Sequence, residues 1–219
     1  LHKSGFELVR SPSAVNDFYD AEEVMNVYYE ECKTIAKRLT GAHTTFTYDH
    51  IIREPSKQIS AGGTGASQTE TGENRGGGYI STVHMDYTDN TTWDKYLGLH
   101  GATVPKASHV YALNFWRPIS RSVDDNPLAV CDARTVRKED LQETVVYGYG
   151  AETYSWHDIG IETFSVSASE HQQWYYYPGM TPDEVLIIKS YDSDGVIGTS
   201  SPHASFPHPK PRGEPRCSI

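Results

Sequence analysis

From residue 79 onward the chain is broken into short β-like runs, and that punctuation constrains the fold more than any other feature. β-Branched and aromatic residues gather at 79–87, 109–119, 128–132, 143–149, 173–177 and 185–191, with turns rich in Gly, Pro and Asp between most of them. Many short strands with irregular connections must satisfy their edges, and an antiparallel sandwich or jelly roll does so. No internal repeat interrupts this reading.

The N-terminal part differs. Val24, Tyr28, Cys32, Ile35 and Leu39 recur at helical spacing with charged residues among them, which predicts an amphipathic helix over 20–39. Asp20 followed by Glu23 has the form of a capping box, and Gly41 stands where a helix ends in a left-handed residue. Residues 44–52 are predicted as a strand, and 60–78, rich in Gly, Ser, Thr and Glu, as a flexible loop or lid. One helix followed by many strands gives an α+β class.

The 219 residues suffice for one core, so a single domain over 1–219 is expected. The chain carries 19 basic and 29 acidic residues, and no stretch gathers Lys and Arg into a stripe, which argues against nucleic acid as a partner. No apolar run reaches bilayer length and Leu1-His2-Lys3-Ser4-Gly5 lacks the layout of a signal peptide, so no membrane contact and a cytoplasmic location are expected. Cys32, Cys131 and Cys217 are far apart and read as reduced thiols. The chain starts without Met and stops as a strand opens at Cys217-Ser218-Ile219, so a piece lacking a C-terminal strand is expected.

Chemistry concentrates in Val83-His84-Met85-Asp86-Tyr87-Thr88. Residues two apart on a strand face one side, so His84 and Asp86 can grip one ion while Met85 faces the opposite layer. A second histidine would complete a facial triad, which leaves positions open on ferrous iron for oxygen and a co-substrate. His203, in Ser201-Pro202-His203-Ala204-Ser205-Phe206, is the candidate. Thirteen residues later Arg216 offers a guanidinium fork suited to a dicarboxylate such as 2-oxoglutarate, with Arg212 as its competitor.

These residues lie in a series of segments that resembles a known family. The series includes Thr40-Gly41-Ala42, Tyr48-Asp49-His50 with Arg53, the His84 segment, Asn114-Phe115-Trp116-Arg117-Pro118-Ile119 and Pro127-Leu128-Ala129-Val130-Cys131-Asp132. It continues through Trp174-Tyr175-Tyr176 and the run from Asp183 to Ser193 to the His203 and Arg216 segments. Together they resemble the fungal and bacterial hydroxylase/desaturase group labelled asaB-like or gibberellin desaturase-like, related to iron(II)/2-oxoglutarate oxygenases. The resemblance spans nearly the whole chain. It implies a cupin-like double-stranded β-helix core with flanking helices, and Fe(II) held by His84, Asp86 and His203. It further implies 2-oxoglutarate held by Arg216, molecular oxygen as oxidant, and oxidation of a small-molecule or amino-acid-derived substrate of secondary metabolism by hydroxylation, desaturation or ring formation.

Other residues take expected supporting roles. Asn114 shares a face with Trp116 and is the better pocket residue, whereas Arg117 either assists the co-substrate or pairs with a buried acid such as Asp132. Trp174 and Tyr87 are the expected substrate contacts. Lys189 and Tyr191 are expected on the face of Val185 and Ile187. His50, His100, His109, His157, His171 and His208 lack a second ligand at a convincing spacing. A zinc-dependent hydrolase using the same three ligands and a non-catalytic ligand-binding jelly roll stay open as alternatives, as does a homodimer.

Overall fold

The structure, a computed structural model, describes residues 1–47, 49–54, 79–91, 93, 109–120, 123, 125–146, 160–210 and 215–219. The expected loop at 60–78 and Arg212 lie outside the described residues.

Asp20 starts the helix by accepting hydrogen bonds from the backbone N–H groups of Glu22 and Glu23. Ala21–Glu23, Val24–Tyr28 and Tyr29–Thr40 then run on as one helix, α1, whose middle portion is π-helical. The wider turn brings the neighbours Tyr28 and Tyr29 both into the core, with Val24, Cys32 and Ile35. The capping box does not close. The Glu23 carboxylate accepts from the N–H groups of Asn16 and Asp17, and Asp20 N–H reaches Asp17 O. Gly41 ends the helix at φ 72°, its N–H donating to Lys37 O.

Nine strands follow in chain order among the described residues: β1 (Phe6–Arg10), β2 (His84–Met85), β3 (Tyr111–Trp116), β4 (Leu128–Cys131), β5 (Leu141–Val146), β6 (Ile161–Val166), β7 (Trp174–Tyr176), β8 (Glu184–Asp192) and β9 (His203–Ser205). They form two antiparallel sheets, β1-β8-β3 and β5-β6-β2-β9-β4-β7. The strand predicted at 44–52 is absent from the described residues there. Ile52 instead joins Val24, Tyr28, Tyr29, Cys32 and Ile219 in a core cluster, and Arg53 forms an isolated bridge with Ser218. Extended chain there buries Ile52 without a ladder, while Phe46 stays exposed. The run at 79–87 contracts to two paired residues, and β1 and β6 were not foreseen.

The three-stranded sheet has two buried faces. Val9, Val185, Ile187, Leu113 and Phe115 pack with Ile35 and Leu39 of α1. On the other face Leu186, Ile188, Leu8 and Trp116 pack with Val130 and Leu128 of the six-stranded sheet. Burial on both faces explains why β8 reads as a continuous apolar run, Val185 to Ile188 being essentially inaccessible.

The β3–β8 register slips between Ala112, opposite Tyr191, and Leu113, opposite Lys189, so Ser190 has no partner. The slip breaks the expected alternation. Tyr191 packs with Met85, Ala112 and Phe164, apart from the Val185 and Ile187 cluster, and Lys189 forms a buried ion pair with Asp192 at 2.7 Å.

Candidate metal centre

His84 and His203 are directly opposite one another in the β2–β9 ladder, with ring centroids 4.6 Å apart. Residues 119 positions apart in sequence thus share one face of the sheet. Asp86, just past β2, brings Oδ1 to 3.4 Å from His84 Nε2 and Oδ2 to 3.8 Å from His203 Nε2. One donor atom from each of the three lies within 4.8 Å of the others, a spread one ion can bridge.

Both rings are oriented in the same way. His84 Nδ1 lies 2.8 Å from Thr82 O and His203 Nδ1 lies 3.2 Å from Ser201 O, each a carbonyl two residues upstream. A carbonyl can only accept, so each Nδ1 carries a proton and each Nε2 faces Asp86, donating to the carboxylate when protonated and free to take a metal when not. Asp86 Oδ2 in turn accepts from Asn114 Nδ2 at 2.7 Å and from the Ser190 hydroxyl at 2.9 Å. Asn114 therefore steadies the carboxylate, and Ser190, which periodicity alone did not single out, joins it.

The electrostatics suit a cation. Burial opposes charge on Asp86, but the two imidazoles and Asn114 outweigh it and hold the carboxyl far below its usual range. Burial pushes His203 down, toward the neutral form that a metal requires. At His84 burial also works downward, but the hydrogen bond and charge of Asp86 prevail and raise it.

Arg216 is buried. Its guanidinium donates to Asn126 O and to the hydroxyls of Ser218 and Ser205, the last at 3.2 Å. It lies over the rings of Tyr79, 4.2 Å from the centroid, and Trp116, at 5.0 Å, while Tyr79 OH donates to Arg216 O. Burial lowers the guanidinium to about 10, so it stays charged at neutral pH. Ser205 is on β9 two residues beyond His203 and shares its face, which ties this cation to the triad.

The remaining sequence candidates fall elsewhere. Arg117 is also buried, but it donates to Pro182 O, Ser11 O and Tyr28 OH, clamping the end of β3 to the helix layer. Asp132, its expected partner, pairs with Arg134 at 2.5 Å. Trp174 pairs with Cys131, while Tyr175 pairs with Val130 and Val130 with His203. Alternation thus turns Trp174 to the face opposite the triad, where it is partly exposed. Tyr87 is buried among Met85, Trp93 and Tyr191 as core packing. His208 accepts from Lys210 N–H and is not drawn into the triad. His109, dismissed from spacing, does meet two acids: Asp192 at 2.8 Å and Asp194 at 3.6 Å. Lys189 already neutralises Asp192 there.

Comparisons with known proteins agree with this architecture. The whole chain, residues 1–219, matches the family described as an oxidoreductase/YMDC permease-like domain. It is 33% identical to hydroxylase/desaturase efuI of Hormonema carpetanum, over 100% of this chain and 76% of that protein. It is 30% identical to the Fe(II)/2-oxoglutarate-dependent dioxygenase nvfI of Aspergillus novofumigatus, over 95% of this chain and 70% of that one. A solved structure of the iron and alpha-ketoglutarate-dependent endoperoxidase NvfI superposes with a TM-score of 0.73 at 27% identity, covering 99% of this chain and 76% of its own. Two sheets enclosing a His-Asp-His cluster define an oxidoreductase of the non-haem iron type, and the chain belongs to the hydroxylase/desaturase family related to the Fe(II)/2-oxoglutarate-dependent dioxygenases. Among the described residues no helix is long and apolar enough to cross a membrane.

Proposed function

We propose that this chain is an Fe(II)- and 2-oxoglutarate-dependent oxygenase that hydroxylates or desaturates a small molecule of secondary metabolism. The observation that carries the reading is the pair of facing histidines whose Nδ1 atoms are fixed on carbonyls while both Nε2 atoms and Asp86 converge. His84 Nε2, Asp86 and His203 Nε2 would hold the metal. One carboxylate and two neutral imidazoles would leave a bound divalent ion with residual positive charge, suited to an anionic 2-oxo acid.

The chemistry that bound iron supplies is activation of dioxygen, coupled to decarboxylation of the 2-oxo acid, for removal of hydrogen from carbon. The chain's own residues do the rest. Asn114 and Ser190 fix the Asp86 carboxylate so that its oxygen stays aimed between the imidazoles. Arg216 grips the distal carboxylate of 2-oxoglutarate, and Ser205 and Ser218 assist. Their hydroxyls accept from the guanidinium in its present state and can turn to donate to an anion. Trp116 and Tyr79 wall the cation off from water, which strengthens its hold on a carboxylate.

The two sheets, with the triad between strands of one and Arg216 against the other, fit a double-stranded β-helix formed by residues 1–219 as a single domain. Anaerobic addition of ferrous iron and then 2-oxoglutarate tests the reading: a metal-to-ligand charge-transfer band is expected, followed on exposure to air by oxygen-dependent decarboxylation. Activity with zinc in the absence of oxygen would overturn it.

A further inference from the structure

The ladder registers place one residue from each strand of the six-stranded sheet in a single row: Tyr175, Val130, His203, His84, Ser165, Gln142. Directly opposed residues of antiparallel strands point to the same face, so all six side chains project on the side where the metal ligands meet. The two ends of this row differ in kind.

Toward β4 and β7 the row is apolar and aromatic. Val130 is fully buried with Met180, Leu186 and Ile188, and Tyr175 packs on Phe6 at 5.9 Å. That is also the side of Ser205, and so of Arg216. Toward β6 and β5 the same face carries Ser165 and Gln142 and, on alternating positions, Thr163 and Thr144. Ser165 is half-buried and Gln142 exposed. Leu141, Phe164 and Val166 take the other face and pack with Met85, whereas Val146 and Ile161, one step beyond Thr144 and Thr163, share the metal side.

The hydroxyls on the metal side are partly satisfied. Ser165 Oγ and Thr144 Oγ1 are 3.0 Å apart, and Thr144 Oγ1 can also donate to Gln142 O at 3.2 Å. Each hydroxyl has one proton and two lone pairs, so Ser165 keeps unused hydrogen-bonding capacity whichever way the pair is oriented. The Gln142 amide has no partner among the described residues.

We propose that Ser165, with Gln142 one strand further out, binds a hydroxyl or carbonyl oxygen of the substrate and thereby selects which carbon faces the metal. This rests on the iron-site reading of His84, Asp86 and His203. Adjacent strands are about 4.8 Å apart, so Ser165 stands about 5 Å and Gln142 about 10 Å from His84 along the sheet. A ligand oxygen on Ser165 brings carbons about two or three bonds away over the metal, with the apolar skeleton extending outward along the hairpin. The substrate class is therefore an apolar skeleton, matched to Val146 and Ile161 further along the hairpin, bearing a hydroxyl or carbonyl oxygen close to the oxidised carbon.

The test uses the protein with Zn(II) in place of iron and 2-oxoglutarate present, with cyclohexanol and cyclohexane as paired probes read by saturation-transfer NMR. Wild type should favour cyclohexanol. Ser165→Ala should lower cyclohexanol binding about tenfold, the equivalent of one net hydrogen bond, and leave cyclohexane unchanged. Gln142→Leu, at an exposed position, should weaken the preference less. No preference in wild type, a preference that survives Ser165→Ala, or equal loss of both probes overturns the proposal. The charge-transfer band with ferrous iron and 2-oxoglutarate, recorded on the same proteins, separates the two readings. If it is absent from wild type, the iron-site reading fails. If it is present while the alcohol preference is unaffected by Ser165→Ala, only the substrate assignment fails.

Discussion

The two faces of the β1-β8-β3 sheet are both buried, yet they do different things. One face, Val185 and Ile187 with Leu113 and Phe115, lies against α1 and ends in Arg117, whose guanidinium is tied to Ser11 O, Pro182 O and Tyr28 OH. The other carries Asn114 on Asp86 and Trp116 beneath Arg216. Each face thus has a buried arginine donating through three nitrogens, so burial and hydrogen-bond number do not distinguish structure from site. The partners do. Two of the three partners of Arg117 are carbonyls, which can only accept and lock it in place, whereas two of the three around Arg216 are serine hydroxyls that can change role when an anion arrives.

The sharpest break of this contrast is Arg117→Ala. It takes the donor from the half-buried carbonyls of Ser11 and Pro182 and from the buried Tyr28 hydroxyl, and unfolding in denaturant should show a loss of about 3 kcal/mol. Iron affinity of the folded fraction should be unchanged. Arg216→Ala should do the reverse, raising the 2-oxoglutarate concentration at half-saturation about 100-fold, as expected for loss of a bidentate charged contact. Ferrous iron binding without co-substrate should persist in that variant. If Arg216→Ala instead unfolds the chain while Arg117→Ala impairs co-substrate binding, the assignment of the two faces is inverted.

Asn114→Ala should weaken iron binding about tenfold, the lower range for loss of a group that orients a metal ligand. A metal titration checks this, and the melting profile should move little. The smallest effect belongs on the helix side. Asp20→Ala removes the N-terminal cap and should cost about 1 kcal/mol, with turnover per folded molecule unaltered.

Some of this was legible locally. His84 and Asp86 share a side because the strand period is two, and that parity survives although β2 itself has only two residues. The helix was legible from its stripe and from Gly41, whose φ of 72° no branched residue adopts cheaply. The closure of the capping box was not, because Glu23 had a competing choice in the N–H groups of Asn16 and Asp17, set by the path of the preceding loop. Trp174 and Tyr87 looked like pocket walls because aromatic residues carry no label of face. Pairing register turned the first away from the triad and packing sank the second into the core.

The sequence by itself determined which side chains could serve as metal ligands, and local spacing paired two of them. Only the tertiary structure decided that His203 lies opposite His84, that Ser190 slips out of its ladder to reach Asp86, and that Arg216 rather than Arg117 lies beside the triad's strand. Periodicity acts over a few residues, whereas strand register, and with it the face on which each distant group lands, is set by burying both sheets at once.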